Sequence, residues 1–155
     1  MSTATTLQID STSSEQTEQL AEKLGAKLHG GEVIELVSDL GGGKTTFTRG
    51  LVRGTGSTDQ VASPTFMLSR EYAAPEFTIA HFDFYRLGEA GIVADELAEV
   101  IGDPKYVSVV EWGEIVHDVL PENRLTIHIA QTGEDTRQLL FEYPLALAYL
   151  VENLT

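Results

Sequence analysis

Apolar positions along the chain follow two rhythms. Leu20, Ala21, Leu24 and Leu28 recur at helical spacing and share one face. Thr12-Ser13-Ser14-Glu15 just before them has the spacing of a capping box, which opens a helix there. Residues 33–37 (VIELV) form a short β-rich run that reads as a buried strand. A glycine cluster follows, and then Phe47 and Leu51 restore the four-residue step of a second helix over about 44–54. Residues 60–66 read as a turn. Residues 66–73 and 77–84 are strand candidates joined by a hairpin loop at Ala74-Pro75-Glu76. Residues 88–102 are mixed and turn helical from about Ile92. Residues 106–110 (YVSVV) are the most strongly β segment of the chain. Two late strands, 124–130 and 137–143, flank Thr132-Gly133-Glu134-Asp135, and Pro144 opens a last helix ending near Asn153. A short first strand is expected at 5–9.

Strands alternate with helices in the first half and pair locally elsewhere. The expected fold is α/β: a three-layer P-loop NTPase-like domain with a mixed, centrally parallel sheet. At 155 residues the chain fits one domain, 1–155, with no linker long enough to divide it.

Residues 38–46 are Ser38-Asp39-Leu40-Gly41-Gly42-Gly43-Lys44-Thr45-Thr46. They follow a strand and open a helix, which is the context of the phosphate-binding pattern of Gly, four residues, Gly-Lys and Ser or Thr. Only the first glycine differs, being Ser38. Glycines at 41, 42 and 43 let backbone N–H groups turn toward phosphate, and the helix N-terminus adds its positive dipole end. Lys44 suits the β- and γ-phosphates, the Thr45 hydroxyl suits Mg²⁺, and Thr46 suits a further phosphate oxygen. The competing reading is a plain glycine-rich turn, but this run of residues at a strand-to-helix junction favours nucleotide.

Three further groups of residues bear on chemistry. Ser63-Pro64-Thr65 follows the P-loop helix, where a mobile threonine can sense the γ-phosphate through the metal; an ordinary Ser-Pro turn is the competing reading. His81-Phe82-Asp83-Phe84-Tyr85-Arg86 closes a strand and brings Asp83 to its C-terminal end, where ligands of open α/β sheets bind. Asp83 suits a metal or an attacking water, against a strand-end cap or an ion pair with Arg86. His81 reads as a core histidine and is assigned no chemistry. Val107-Ser108-Val109-Val110-Glu111 has the form of an apolar strand delivering a carboxylate to a metal. Trp112 next to it suits packing on a nucleotide or a partner, or simple burial.

Charge and cysteine content narrow the picture. Ten Lys and Arg stand against 24 Asp and Glu, a formal net charge of −14. A free-standing nucleic-acid binder needs a basic stripe, so an independent nucleic-acid-binding role is disfavoured. The absence of cysteine excludes disulfides, thiolate metal sites and a cysteine nucleophile. Residues 1–8 lack the basic and apolar blocks of a signal peptide, and no apolar run reaches bilayer length. The expected setting is the cytoplasm.

Taken together, Gly-Gly-Gly-Lys-Thr-Thr-Phe-Thr-Arg-Gly at 41–50, Ser-Pro-Thr-Phe at 63–66, His-Phe-Asp-Phe-Tyr-Arg at 81–86 and Glu-Trp at 111–112 resemble the TsaE family. These are bacterial ATPases required for threonylcarbamoyladenosine in tRNA. The resemblance runs from the helix near Thr12 to the strands near Phe141. It implies one mixed α/β domain, slow ATP hydrolysis with ATP and Mg²⁺ as ligands, and binding to a TsaD–TsaB heterodimer that itself performs the transfer. tRNA would be met only through that complex, and no membrane is involved. By position, the resemblance makes Lys44 and Thr45 the phosphate and metal residues, Thr65 part of a switch-like loop, Asp83 and Glu111 required acids, and Trp112 a neighbour of the nucleotide. The residues alone do not rank Asp83 and Glu111 for the base role. No arginine is an evident finger, although Arg86 is conceivable. A small-molecule kinase is the first alternative; it needs an acceptor pocket and usually an arginine lid, which no segment supplies. A non-hydrolysing nucleotide-binding module is the second.

Overall fold

The computed structural model describes residues 4–38, 43–61, 69–84, 91–112 and 116–154, with the backbone alone for 91–93. The apolar run expected at the centre is β2, Val33–Val37, and the YVSVV run is β5, Tyr106–Glu111. Both are buried nearly throughout, as strands covered on both faces are. The other strands are β1 (Thr5–Ser11), β3 (Ser69–Ala73), β4 (Thr78–Asp83), β6 (Leu125–Gln131) and β7 (Arg137–Tyr143). They form one sheet in the order β1-β7-β6-β2-β5-β4-β3. The pairs β6–β2, β2–β5 and β5–β4 are parallel, while β1–β7, β7–β6 and β4–β3 are antiparallel. The sheet is thus mixed and parallel at its centre, as expected.

Side-chain alternation sorts the strands onto two faces. Ile34, Leu36, Ile79, Val107, Val109 and Ile127 share one core with Leu20 and Leu24 of α1 (Ser14–Gly25) and Phe47 and Leu51 of α2 (Lys44–Gly54). Val33, Ala80, Phe82 and Val110 point to the other face, where they pack with Leu97 of α3 (Gly91–Val100) and with Val116 and Leu120. Helices on both faces give three layers. Full burial of a side chain such as Phe47 or Leu51 contributes roughly 1.5–3 kcal/mol, so this packing holds α2 firmly under the strand ends.

Three local expectations shift. The capping box is set one residue later: Ser13 is the N-cap of α1 and accepts from Gln16 N at 3.1 Å, while Gln16 Oε1 reaches back to Thr12 N. The sequence carries two overlapping boxes, and β1 running on to Ser11 selects the second. β1 is longer than expected because Asp10 and Ser11 still pair with Gln138 and Arg137 across the sheet. The last helix is a 3-10 helix, Leu145–Val151, with Pro144 as its N-cap. Its three-residue period stacks Leu147 over Leu150, both buried against the first core.

Candidate functional site

The site begins where β2 stops. Ser38 follows the strand, and α2 opens at Lys44 with Gly43 as N-cap. Gly43 has φ 106° and ψ 14°, a left-handed conformation that a side chain would strain, so the glycine here is demanded by the backbone. Phe47 N donates to the Gly43 carbonyl at 3.0 Å and closes the first helical turn. Thr45 and Thr46 stand half-buried in that turn, next to the orphan N–H groups of the helix N-terminus. Gly41 and Gly42 lie outside the described residues, as do Thr65 and Arg86.

Lys44 is buried, at 7% exposure. Its Nζ donates to the Ser38 carbonyl at 3.0 Å and lies 4.5 Å from the centroid of the Trp112 ring. The ammonium is therefore held by a carbonyl oxygen and by a π face. Trp112, directly after β5, has φ 57°. A bulky residue in that region is uncommon and costs on the order of 1–2 kcal/mol. The residue is half-buried and packs against the second core while its ring meets Lys44 at the start of α2.

The two acids meet at the adjoining strand ends. Asp83 and Glu111 are register partners on β4 and β5, and Glu111 pairs in turn with Leu36 of β2. Phe84 N donates to the Glu111 carbonyl at 3.1 Å and ties the two ends together. Alternation places Asp83 with Ile79 and Glu111 with Val109, on the face covered by α1 and α2. Both carboxyl residues are buried, at 6% and 3% exposure. Burying charge is costly unless something compensates it, so these groups, with Lys44, mark the strand ends as a place built for charge.

Sequence reasoning passed over two residues that the structure brings here. His81 is a core histidine, as expected, but its Nε2 lies 2.5 Å from Glu111 Oε2. The signal was available: in Ile79-Ala80-His81-Phe82-Asp83, the alternation that places Asp83 places His81 on the same face. Arg137 comes from the start of β7. A Cβ on Gly43 would stand 3.4 Å from its Nε, so the guanidinium flanks the start of α2 on the side away from Glu111. Its Nη1 donates to the Thr136 carbonyl at 2.9 Å. Nothing local marks Arg137, because its position depends on β7 pairing with β6 and β6 with β2.

The donor set fits a small hard cation. A threonine hydroxyl and two carboxylates are oxygen ligands, and Mg²⁺ characteristically uses one or two carboxylates beside substrate phosphates. No group of three or more His, Asp or Glu able to hold a metal by itself occurs among the described residues. A polyphosphate brought beside two buried carboxylates would also be repelled unless a divalent cation lay between them.

A mixed sheet parallel at its centre, helices on both of its faces and a central strand followed by a helix that starts on lysine place the chain in the P-loop NTPase-like class of α/β folds. Within that class it belongs to the TsaE family: the family model described as "Threonylcarbamoyl adenosine biosynthesis protein TsaE" matches residues 11–139. The tRNA threonylcarbamoyladenosine biosynthesis protein TsaE of Bacillus subtilis is 36% identical over 132 residues, covering 82% of this chain and 79% of that protein. The protein of the same name from Treponema pallidum is 34% identical over 129 residues, 83% of this chain and 95% of its own. The crystal structure of Bacillus subtilis YdiB superposes with a TM-score of 0.80 at 32% identity, covering 99% of this chain and 97% of that one.

Proposed function

We propose that the chain is a Mg²⁺-dependent ATPase that serves as an accessory factor in forming threonylcarbamoyladenosine in tRNA. The observation that supports the ATPase reading is that the buried Lys44 at the start of α2 lies against Trp112, the residue that follows Glu111, while Asp83 and Glu111 are register partners at adjacent strand ends. The pathway rests on membership of the TsaE family.

The reaction is phosphoryl transfer to water. The water oxygen bonds to the γ-phosphorus, the bond to the β,γ-bridging oxygen breaks and leaves its electron pair on ADP, and the proton of the water passes to Asp83 and from there to solvent or product phosphate. Lys44 would exchange the Ser38 carbonyl and the Trp112 ring for phosphate oxygens, and backbone amides of residues 41–45 would take further charge. Mg²⁺ held by the Thr45 hydroxyl and Glu111, with Thr65 and Asp83 as further candidate ligands, would neutralise charge that develops on the phosphates. We assign Glu111 to the metal because β5 adjoins β2, the strand that feeds the phosphate turn. Asp83, one strand further out, would orient the water. Ser38, Thr46 and Trp112 complete the nucleotide-binding set.

The transfer onto tRNA would be carried out by TsaD with TsaB, which this protein would bind and reset. A net charge of −14 supports tRNA contact only through such partners. No described helix is long and apolar enough to cross a membrane, and a cytoplasmic setting is part of the proposal. The test is phosphate release from Mg·ATP by the purified chain, alone and with TsaD, TsaB and tRNA, beside Lys44→Ala. Slow release that partners stimulate and Lys44→Ala abolishes supports the reading. Release indifferent to partners removes the pathway role. Nucleotide bound without any release leaves a non-hydrolysing module, and a phosphorylated small molecule would indicate a kinase.

A further inference from the structure

We propose that His81 is a positioning residue for Glu111, fixing the rotation of its carboxylate for the metal; this rests on the reading of Glu111 as a Mg²⁺ ligand. The terminal torsion of a glutamate is broad and is not set by rotamer preference. A carboxylate that must meet a cation in one orientation therefore needs a partner on one of its oxygens. His81 takes Oε2 through Nε2 at 2.5 Å, with the two side chains only 1% and 4% exposed.

The histidine is itself held. Its Nδ1 lies 3.5 Å from Tyr72 Oη, at the outer limit of a hydrogen bond, with the rings tilted by 39°. Tyr72 pairs with Ile79 on the antiparallel neighbour, so it is the diagonal neighbour of His81 on the same face. A Tyr72 hydroxyl that donates to Nδ1 leaves the proton on Nε2, where Glu111 accepts it. Three adjacent strands, β3, β4 and β5, thus contribute one residue each to a buried chain that ends on the carboxylate. An outer partner that sets the orientation of a metal-binding carboxylate is generally worth about 10–100-fold in metal affinity or activity.

A core histidine with no such role would satisfy its nitrogens anywhere, and its loss would show in stability alone. The experiment therefore compares His81→Leu, His81→Gln and His81→Asn by a readout other than turnover. Each variant's Mg²⁺ requirement for ADP binding is measured calorimetrically, and kcat and KM for ATP are measured beside it. Glutamine can carry an N–H to about the place of Nε2; asparagine is too short, and leucine has no donor. We expect His81→Leu and His81→Asn to raise the Mg²⁺ needed for half-maximal ADP binding by about 10–100-fold and to lower kcat in parallel. KM for ATP should change far less, and His81→Gln should return close to wild type. If His81→Leu does not fold, the asparagine and glutamine variants decide by the same criterion. A wild-type Mg²⁺ requirement in folded His81→Leu or His81→Asn overturns the proposal and leaves the ATPase reading standing. Nucleotide binding by the wild-type chain that ignores Mg²⁺ overturns both.

Discussion

Lys44 lies under the indole of Trp112, its ammonium 4.5 Å from the ring centroid while it also donates to the Ser38 carbonyl. Both contacts occupy the group that the phosphates would take, so nucleotide must draw Lys44 off the ring. Trp112 is the chain's one tryptophan, and its emission reports the exchange directly. Saturating Mg·ATP should change the emission, and Lys44→Met should remove the change. The same substitution should lower kcat by about 10²–10³-fold, as loss of one preorganised charge at a reacting phosphate does. Unaltered emission with nucleotide shown bound by calorimetry would mean that Lys44 stays on the ring.

The helix that carries Lys44 is seated by close backbone approach. A Cβ on Gly50 would come 2.2 Å from the Glu18 carbonyl oxygen, and one on Gly54 would come 2.1 Å from that of Glu22. Backbone cannot rotate aside, so Gly50→Ala must part α1 from α2. Overpacking of this kind costs about 1–3 kcal/mol. For a chain of this length, that lowers Tm by roughly 2–4 °C per kcal/mol. A thermal melt checks it, and an unchanged Tm would show that α1 yields freely.

Much of this arrangement was legible along the chain. The Val33–Val37 and Tyr106–Glu111 runs, punctuated by glycines and by an acid, locate the centre of the sheet and the junction at which α2 begins from local pattern alone. Asp83 and Glu111 end β4 and β5, as the sequence places them, because strand ends are visible in sequence. The rest required pairing. Ser11 reads as loop until Arg137 lies opposite it, and Arg137 reaches Gly43 only through three paired strands. His81 was taken as core, rightly, but its partner Glu111 is distant in sequence and adjacent only across β4 and β5. The expected last helix has good helix formers, yet Leu147 N bonds the Pro144 carbonyl at 2.9 Å, and the three-residue turn prevails.

That last turn is fastened by Tyr149, whose hydroxyl donates to Glu32 Oε2 at 2.6 Å. Glu32 is buried and accepts from His29 N and Gly30 N as well. Burial first, and then the hydrogen bond and charge of Glu32, hold the phenol well above its ordinary value. The folded state therefore keeps the proton that the unfolded chain releases near pH 10. The stability from this bond is fully present below about pH 10 and is lost as pH rises above it. Tyr149→Phe should cost about 1–2 kcal/mol at neutral pH, measured by urea unfolding. The gap between wild type and variant should shrink as pH rises above 10. A gap that widens instead would contradict the bond.

Asp83 and Glu111 are register partners, yet their strands differ in rank: β5 adjoins β2, while β4 stands one further out. Two neutralising variants separate the roles that follow. Glu111→Gln keeps the size of the side chain and an oxygen for His81 but removes the charge that a metal needs. It should raise the Mg²⁺ required for ADP binding by about 10–100-fold. Asp83→Asn should leave that requirement nearly unchanged and lower kcat by about 10²–10⁴-fold, the range for a lost proton acceptor. Measuring the Mg²⁺ dependence of ADP binding and kcat at saturating Mg²⁺ on both variants distinguishes them. The reverse pattern would exchange the two assignments: the metal would then sit toward β4, and His81, bound to Glu111, would instead orient the group that receives the proton from water.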